Sequence, residues 1–229
     1  MSALGEHLGA TGSAAVANSF YRLQPQVLRR VLGALDEAIR KTVALLGDIR
    51  RLEPQFTRQL AACFEDARDR AGGALYDILH QGELPVLNDE GRVVSYRRLD
   101  IRLLFTQQVG RRGDYLCIEC KYLDATDRGS DLEYVEEGVD RIVTGAYARD
   151  HRFAIMVGLE RVGPLSRTIA NVNDRLMRRY GKAQGLRPAL RWKLGTAAES
   201  EHPQAGGPHR ITLVHGFWPV TAAARLTTC

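Results

Sequence analysis

The chain has 229 residues, 45% of them hydrophobic, enough to bury one substantial core with appendages. No apolar run reaches the ~18 residues that a membrane-spanning helix needs, so no membrane partner is expected. The formal net charge of +5 is compatible with a nucleic-acid partner, although an arginine-rich composition also raises the charge of many unrelated proteins.

Residues 1–19 are rich in Ala, Gly and Ser and read as a flexible tail. They lack a basic start followed by a long apolar stretch, which argues against a secretory signal, and the expected location is cytoplasmic. Residues 20–53 read as a helical extension. Between Gln24 and Arg51, the residues Leu28, Leu32, Leu35, Ile39, Thr42, Leu46 and Ile49 form a heptad-like stripe. Such a stripe serves either a homodimer or a helix packed across the domain's own core, and the second needs nothing beyond the one apolar face of any surface helix.

Residues 54–160 read as the core. Phe56, Leu60, Phe64, Ala67, Ala71, Leu75 and Ile78 predict a helix over Pro54 to Gln81. Leu84 to Leu87 and Arg92 to Tyr96 are candidates for a first strand. Leu99 to Phe105 and Tyr115 to Leu123 predict two further strands, joined across the glycine-bearing segment Gln107 to Asp114 as a hairpin. Leu132 to Tyr147 reads as a helix, and the continuous apolar run Phe153 to Leu159 as a buried strand. In residues 161–229, a C-terminal extension of the same domain, Ser166 to Tyr180 predicts a helix. Leu190 to Leu194 and Ile211 to Phe217 read as short strands separated by a loop at Thr196 to His209. Trp192, Phe217 and Trp218 lie in apolar runs and read as core rather than base-stacking residues.

The chemistry concentrates in the predicted hairpin. A turn centred near Val109 and Gly110 sets Asp100 opposite Glu119, and a turn one residue later sets it opposite Lys121. Period-two alternation aims Glu119 and Lys121 to one face, expected to be polar, and Ile118, Cys120 and Tyr122 to the other, expected to enter a core. Two carboxylates and a nearby main-chain carbonyl are hard oxygen ligands suited to Mg²⁺, with Mn²⁺ as the alternative ion. A neighbouring ammonium can orient a water and offset charge on a phosphoryl group. Lys41, Lys121, Lys182 and Lys193 are the only lysines among 32 basic residues, so a lysine where a compact point charge is wanted stands out.

Asp100 within Arg98-Leu99-Asp100-Ile101-Arg102, together with Ile118-Glu119-Cys120-Lys121, resembles the PD-(D/E)xK, or restriction-endonuclease-like, nuclease superfamily. The resemblance covers about residues 54 to 160 and rests on few residues; the proline often found before the first acid is here Leu99. It implies an α/β fold with a core of helix, three-stranded meander, helix and strand. It further implies a metal-dependent nuclease, endonuclease ahead of exonuclease, acting on DNA with RNA as the alternative. Defence against foreign DNA or DNA repair and recombination would be its role, alone, as a homodimer or in a larger complex. Asp100, Glu119 and Lys121 would be catalytic, with the metal held by Asp100, Glu119 and the Cys120 carbonyl. Many members recruit a further acid from the first helix, for which Glu65 ranks first here and Asp69 next. Arg98, Arg102, Arg111 and Arg112 flank the site in sequence and are candidate nucleic-acid contacts, or else solvated arginines.

The rival reading is a non-catalytic nucleic-acid-binding or assembly subunit that keeps the nuclease fold. A thiol redox role for Cys117 and Cys120 is disfavoured, because residues three apart on a strand point to opposite faces. The six histidines show no paired-ligand spacing, and no Walker A, G-x-S-x-G or G-x-G-x-x-G sequence occurs.

Overall fold

The computed structural model describes residues 23–46, 53–70, 76–81, 83–87, 93–105, 115–149, 151–192, 196–205 and 209–220. The expected tail, the predicted hairpin connection with Arg111 and Arg112, and Cys229 lie outside them. A seven-stranded, mostly antiparallel sheet runs in the order β1-β4-β5-β6-β9-β8-β7. Its strands are β1 (Tyr76–His80), β4 (Ile101–Phe105), β5 (Leu116–Asp124), β6 (Phe153–Val162), β7 (Arg187–Pro188), β8 (Ala198–Pro203) and β9 (Arg210–Pro219). β5, β6 and β9 are mutually parallel and central. Each is nearly continuously buried, as a parallel strand covered on both faces must be.

Helices cover both faces. On one lie α1 (Pro25–Leu46) and α2 (Glu53–Arg70), whose Leu28, Leu32, Leu35, Phe56, Leu60 and Phe64 meet Ile101, Ile118, Ile155 and Val157 of the sheet. The heptad-like stripe is thus consumed inside the chain, with Leu28, Leu32, Leu35, Ile39 and Thr42 all buried. Trp218 Nε1 donates to Asp36 Oδ1 at 2.8 Å and ties α1 to β9. On the other face lie α5 (Leu165–Tyr180) and a composite helix: α3 (Arg128–Leu132), a π-helical segment (Glu133–Val139) and α4 (Asp140–Val143). Among the described residues no helix is long and apolar enough to cross a membrane.

Three sequence expectations are corrected. The helix predicted to Gln81 is α2, which ends at Arg70, and Tyr76–His80 is instead the strand that pairs with β4. The steps between Ala71, Leu75 and Ile78 suit a helix, but Gly72-Gly73 intervenes, and glycine pairs oppose helix propagation. Buried Tyr76 and Ile78 alternate with exposed Asp77 and Leu79, the period of a strand. The proposed first-strand segments are β2 (Glu83–Leu87) and β3 (Val93–Arg98), which among the described residues pair only with each other, as a two-stranded arm inserted between β1 and β4. Leu190–Trp192 is a 3₁₀ turn, whereas the expected loop contains β8, hidden from composition by its polar residues.

β8 is polar because its buried side joins a hydrogen-bonded network. Ser200 Oγ lies 2.8 Å from Nε2 of both His202 and His215, and His215 Nδ1 is 2.9 Å from the Tyr134 hydroxyl. Burial, with His202 nearby, pulls His215 down to about 3, and burial with Arg210 pulls His202 down to about 4. Both rings are therefore neutral in the fold and charge more readily once unfolded. Their stabilisation is complete above their ordinary value of 6.5 and is lost as pH falls toward 4 and then 3. Urea titrations should show stability falling by about 1.4 kcal/mol per pH unit for each ring in that window. His215→Gln should flatten the slope; an unaltered slope would exclude His215 as its source.

Candidate functional site

The site is built where β5 loses its neighbour. β4 pairs with β5 through Leu103↔Leu116, Arg102↔Cys117 and Ile101↔Ile118, the last pair on the side toward Lys121. Beyond Ile118 the alternate main-chain N–H groups on that edge of β5 still need acceptors. Two carboxylates supply them: Asp100 Oδ2 accepts from the Cys120 N–H at 2.8 Å, and Glu53 Oε2 from the Tyr122 N–H at 3.3 Å. The register is the first of the two that the hairpin allowed, so one step beyond Ile101↔Ile118 Asp100 stands beside Glu119. Asp100 itself is held by its carbonyl, which accepts from the Gln81 N–H at 2.9 Å and closes the base of the β2–β3 arm.

Glu119 and Lys121 share a face, as alternation requires, but that face is not an open polar surface. They are only 2% and 8% exposed, because the composite helix lies across them. Gly138 permits the close approach: a Cβ there would stand 2.6 Å from Met156 Cε and 3.8 Å from Lys121 Cγ. π-helical segments of this kind recur at functional sites.

Lys121 Nζ lies 3.2 Å from Glu53 Oε1 and 3.6 Å from Glu119 Oε1, and Arg141 Nη1 is also 3.6 Å from Glu119 Oε1. Glu119 Oε2 is buried with no hydrogen-bond partner among the described residues. Burial raises Glu119 to about 8, reinforced by the Asp100 charge and opposed by Lys121 and Arg141. Burial likewise raises Asp100, against the Cys120 N–H and Lys121, and raises Glu53, against Lys121. For Lys121 burial acts downward, yet Glu119, Glu53 and Asp100 outweigh it and hold the ammonium above its ordinary value. Lys121 is therefore a fixed cation at neutral pH.

The acid that α2 brings to this cluster is Glu53, not Glu65 or Asp69. Both of those are exposed, Asp69 is paired with Arg68, and Glu65 lies twelve residues, or ~18 Å of helix, from Glu53. Glu53 opens α2 next to Pro54, a residue common in the first helical turn, and that signal marks a helix start without saying where the start points. Arg141 was not singled out from the sequence either. Arg98 is exposed, and its carbonyl accepts from the Tyr147 hydroxyl at 2.6 Å. Arg102 places its guanidinium 5.0 Å from the Tyr115 ring centroid with Nε buried, so this cation is engaged within the protein. Arg111 and Arg112 lie outside the described residues. Cys117 and Cys120 are free, buried and in opposite cores. The Cys120 carbonyl leaves β5 on the same edge as its N–H, the Asp100 side.

Among the described residues no group of three or more His, Cys, Asp or Glu side chains is arranged to hold a metal ion. Asp100 and Glu53 are turned onto β5 and Lys121 instead. The donors are nevertheless hard oxygens: the carboxylates raise one another's proton affinity, and one buried Glu119 oxygen has no hydrogen-bond partner among the described residues. No family model, curated protein or solved structure matches the chain significantly.

Because Glu119 is raised from 4.5 to about 8, its contribution to stability is full below about pH 4.5 and is lost as pH rises through about 8. In chelator, Glu119→Gln should therefore gain on the wild type by up to about 1.4 kcal/mol per pH unit across that window in urea titrations. Parallel curves for the two proteins would exclude the raised ionisation.

Proposed function

We propose that this chain is a metal-dependent nuclease of the restriction-endonuclease-like class that hydrolyses phosphodiester bonds in DNA. The observation that carries the reading is the meeting of Asp100, Glu119 and Lys121 on the part of β5 just beyond its pairing with β4, with Glu53 as a third acid. The element order supports it. α2, the antiparallel strands β1, β4 and β5, the composite helix and β6 repeat helix, three-stranded meander, helix and strand, with the β2–β3 arm as an insertion.

Asp100 and Glu119 would hold Mg²⁺ or Mn²⁺ with the Cys120 carbonyl, and Glu53 lies within reach of the same cluster through Lys121. When bound, the ion supplies Lewis acidity and a template for the phosphoryl group. Lys121, whose ammonium Glu119, Glu53 and Asp100 hold above its ordinary value, orients a water by donating a hydrogen bond and offsets charge growing on the phosphoryl oxygens. In hydrolysis the water oxygen bonds to phosphorus as the bond from phosphorus to one bridging sugar oxygen breaks; the water releases a proton to solvent, and the departing oxygen takes one up from solvent and leaves as an alcohol. Burial by the composite helix excludes bulk water and strengthens each of these charge interactions. Endonuclease action in defence or DNA repair is the role that follows by analogy of class.

The test is incubation with plasmid, linear and single-stranded DNA, and with RNA, in Mg²⁺, Mn²⁺ or chelator. Cleavage should require metal and fall by at least roughly 10²-fold in Asp100→Asn and in Lys121→Ala. Asp100→Asn retains an oxygen that can accept the Cys120 N–H, so circular dichroism should show its fold unchanged. Full activity in either variant would overturn the assignment. Nucleic-acid binding without cleavage under every condition would favour a non-catalytic subunit, the reading consistent with acids turned toward β5.

A further inference from the structure

Glu119 Oε1 carries two cations of opposite accessibility. Lys121 approaches from within the fold, its side chain 11% exposed, whereas the Arg141 side chain is 42% exposed. Arg141 is held loosely by its carboxylates, its guanidinium donating also to the Tyr147 hydroxyl. Its distances to carboxylate are 3.6 Å to Glu119 and 4.0 Å to Glu137, well beyond the ~2.7–2.9 Å of a formed charge-assisted hydrogen bond. The main chain beneath it is firmly placed: the Tyr147 N–H donates to the Arg141 carbonyl at 2.8 Å. The Tyr147 hydroxyl in turn donates to the Arg98 carbonyl, two residues before Asp100. The Tyr147 ring centroid lies 5.9 Å from the guanidinium. A planar cationic fork therefore stands at the solvent side of the acid cluster, on a rigid base, hydrogen-bonded to the Tyr147 side chain and with only long contacts to carboxylate to give up.

We propose that Arg141 is a further catalytic residue, leaving Glu119 to bind a non-bridging oxygen of the substrate's phosphodiester. This rests on the nuclease reading. The chemistry is that of exchange between like ligands: a guanidinium paired with a carboxylate presents the same donor geometry to a phosphate. Once Glu119 is committed to a divalent cation, its attraction for Arg141 is shared, and an incoming phosphodiester offers the guanidinium a new anion. Lys121 cannot make this exchange, being buried between Glu53 and Glu119. The two cations thus divide the work, the lysine acting on the water and the arginine on the phosphate.

Three measurements on the whole chain separate this role from a structural one. Ca²⁺ affinity by calorimetry should be unchanged or tighter in Arg141→Gln, since a competing cation is removed. Affinity for fluorescein-labelled duplex DNA in Ca²⁺, read by anisotropy, should weaken about tenfold. In Mg²⁺ kcat should fall roughly 10²-fold, with Arg141→Lys recovering only part because a point charge does not replace the fork. Arg141→Gln with wild-type DNA affinity and kcat would overturn the proposal and leave the nuclease reading standing. Loss of Ca²⁺ affinity or of thermal stability in step with cleavage would also overturn it, in favour of a structural role. A wild-type protein that neither binds nor cleaves any nucleic acid would instead remove the nuclease reading itself.

Discussion

The arrangement depends on an unfinished β-ladder. β4 stops at Ile101 while β5 continues to Asp124, and the exposed edge must find hydrogen-bond acceptors or pay the cost of unpaired main-chain groups. Asp100 and Glu53 meet that need with side-chain oxygens, one from the residue just before β4 and one from the first residue of α2. The same two bonds that complete the sheet bring acids from distant parts of the sequence beside Glu119 and Lys121. Structure and candidate chemistry therefore share their hydrogen bonds.

Charge balance follows from that crowding. Three carboxylates face Lys121 and Arg141 in a space largely withdrawn from water, so each acid resists ionisation and the lysine resists deprotonation. Buried ion clusters of this kind are poor sources of stability, because desolvation offsets most of the attraction. Their retention makes sense where an additional cation or an anionic ligand completes the set. The composite helix maintains the condition: Gly138 lets its π-helical segment settle over Lys121, and Arg141 follows within the next turn.

Away from the site, the fold spends its buried polarity differently. The Tyr134, His215, Ser200 and His202 network joins the π-helical segment to β8 and β9 through hydrogen bonds between neutral groups. A strand of such composition can occupy a core only because its partners arrive from two other elements. That is why Ala198–Pro203 escapes recognition as a strand when read alone.

Periodicity along the chain determined most of the elements and the pairing of the hairpin. The two alternating runs Leu99 to Phe105 and Tyr115 to Leu123 bring Asp100 opposite either Glu119 or Lys121, a choice that the structure makes in favour of Glu119, and the run from Phe153 to Leu159 announces a strand covered on both faces. These are local properties, since side-chain period and strand register depend on neighbours a few residues apart. Tertiary structure alone decided that Tyr76–His80 leaves the helix to become a strand, and that Glu53 rather than Glu65 reaches β5. It also decided that Arg141 stands over Glu119, and that the supposed polar face lies beneath a helix. The reason is the same in each case: acceptors, cations and covering layers are supplied across the sheet by segments whose position no short window of sequence contains.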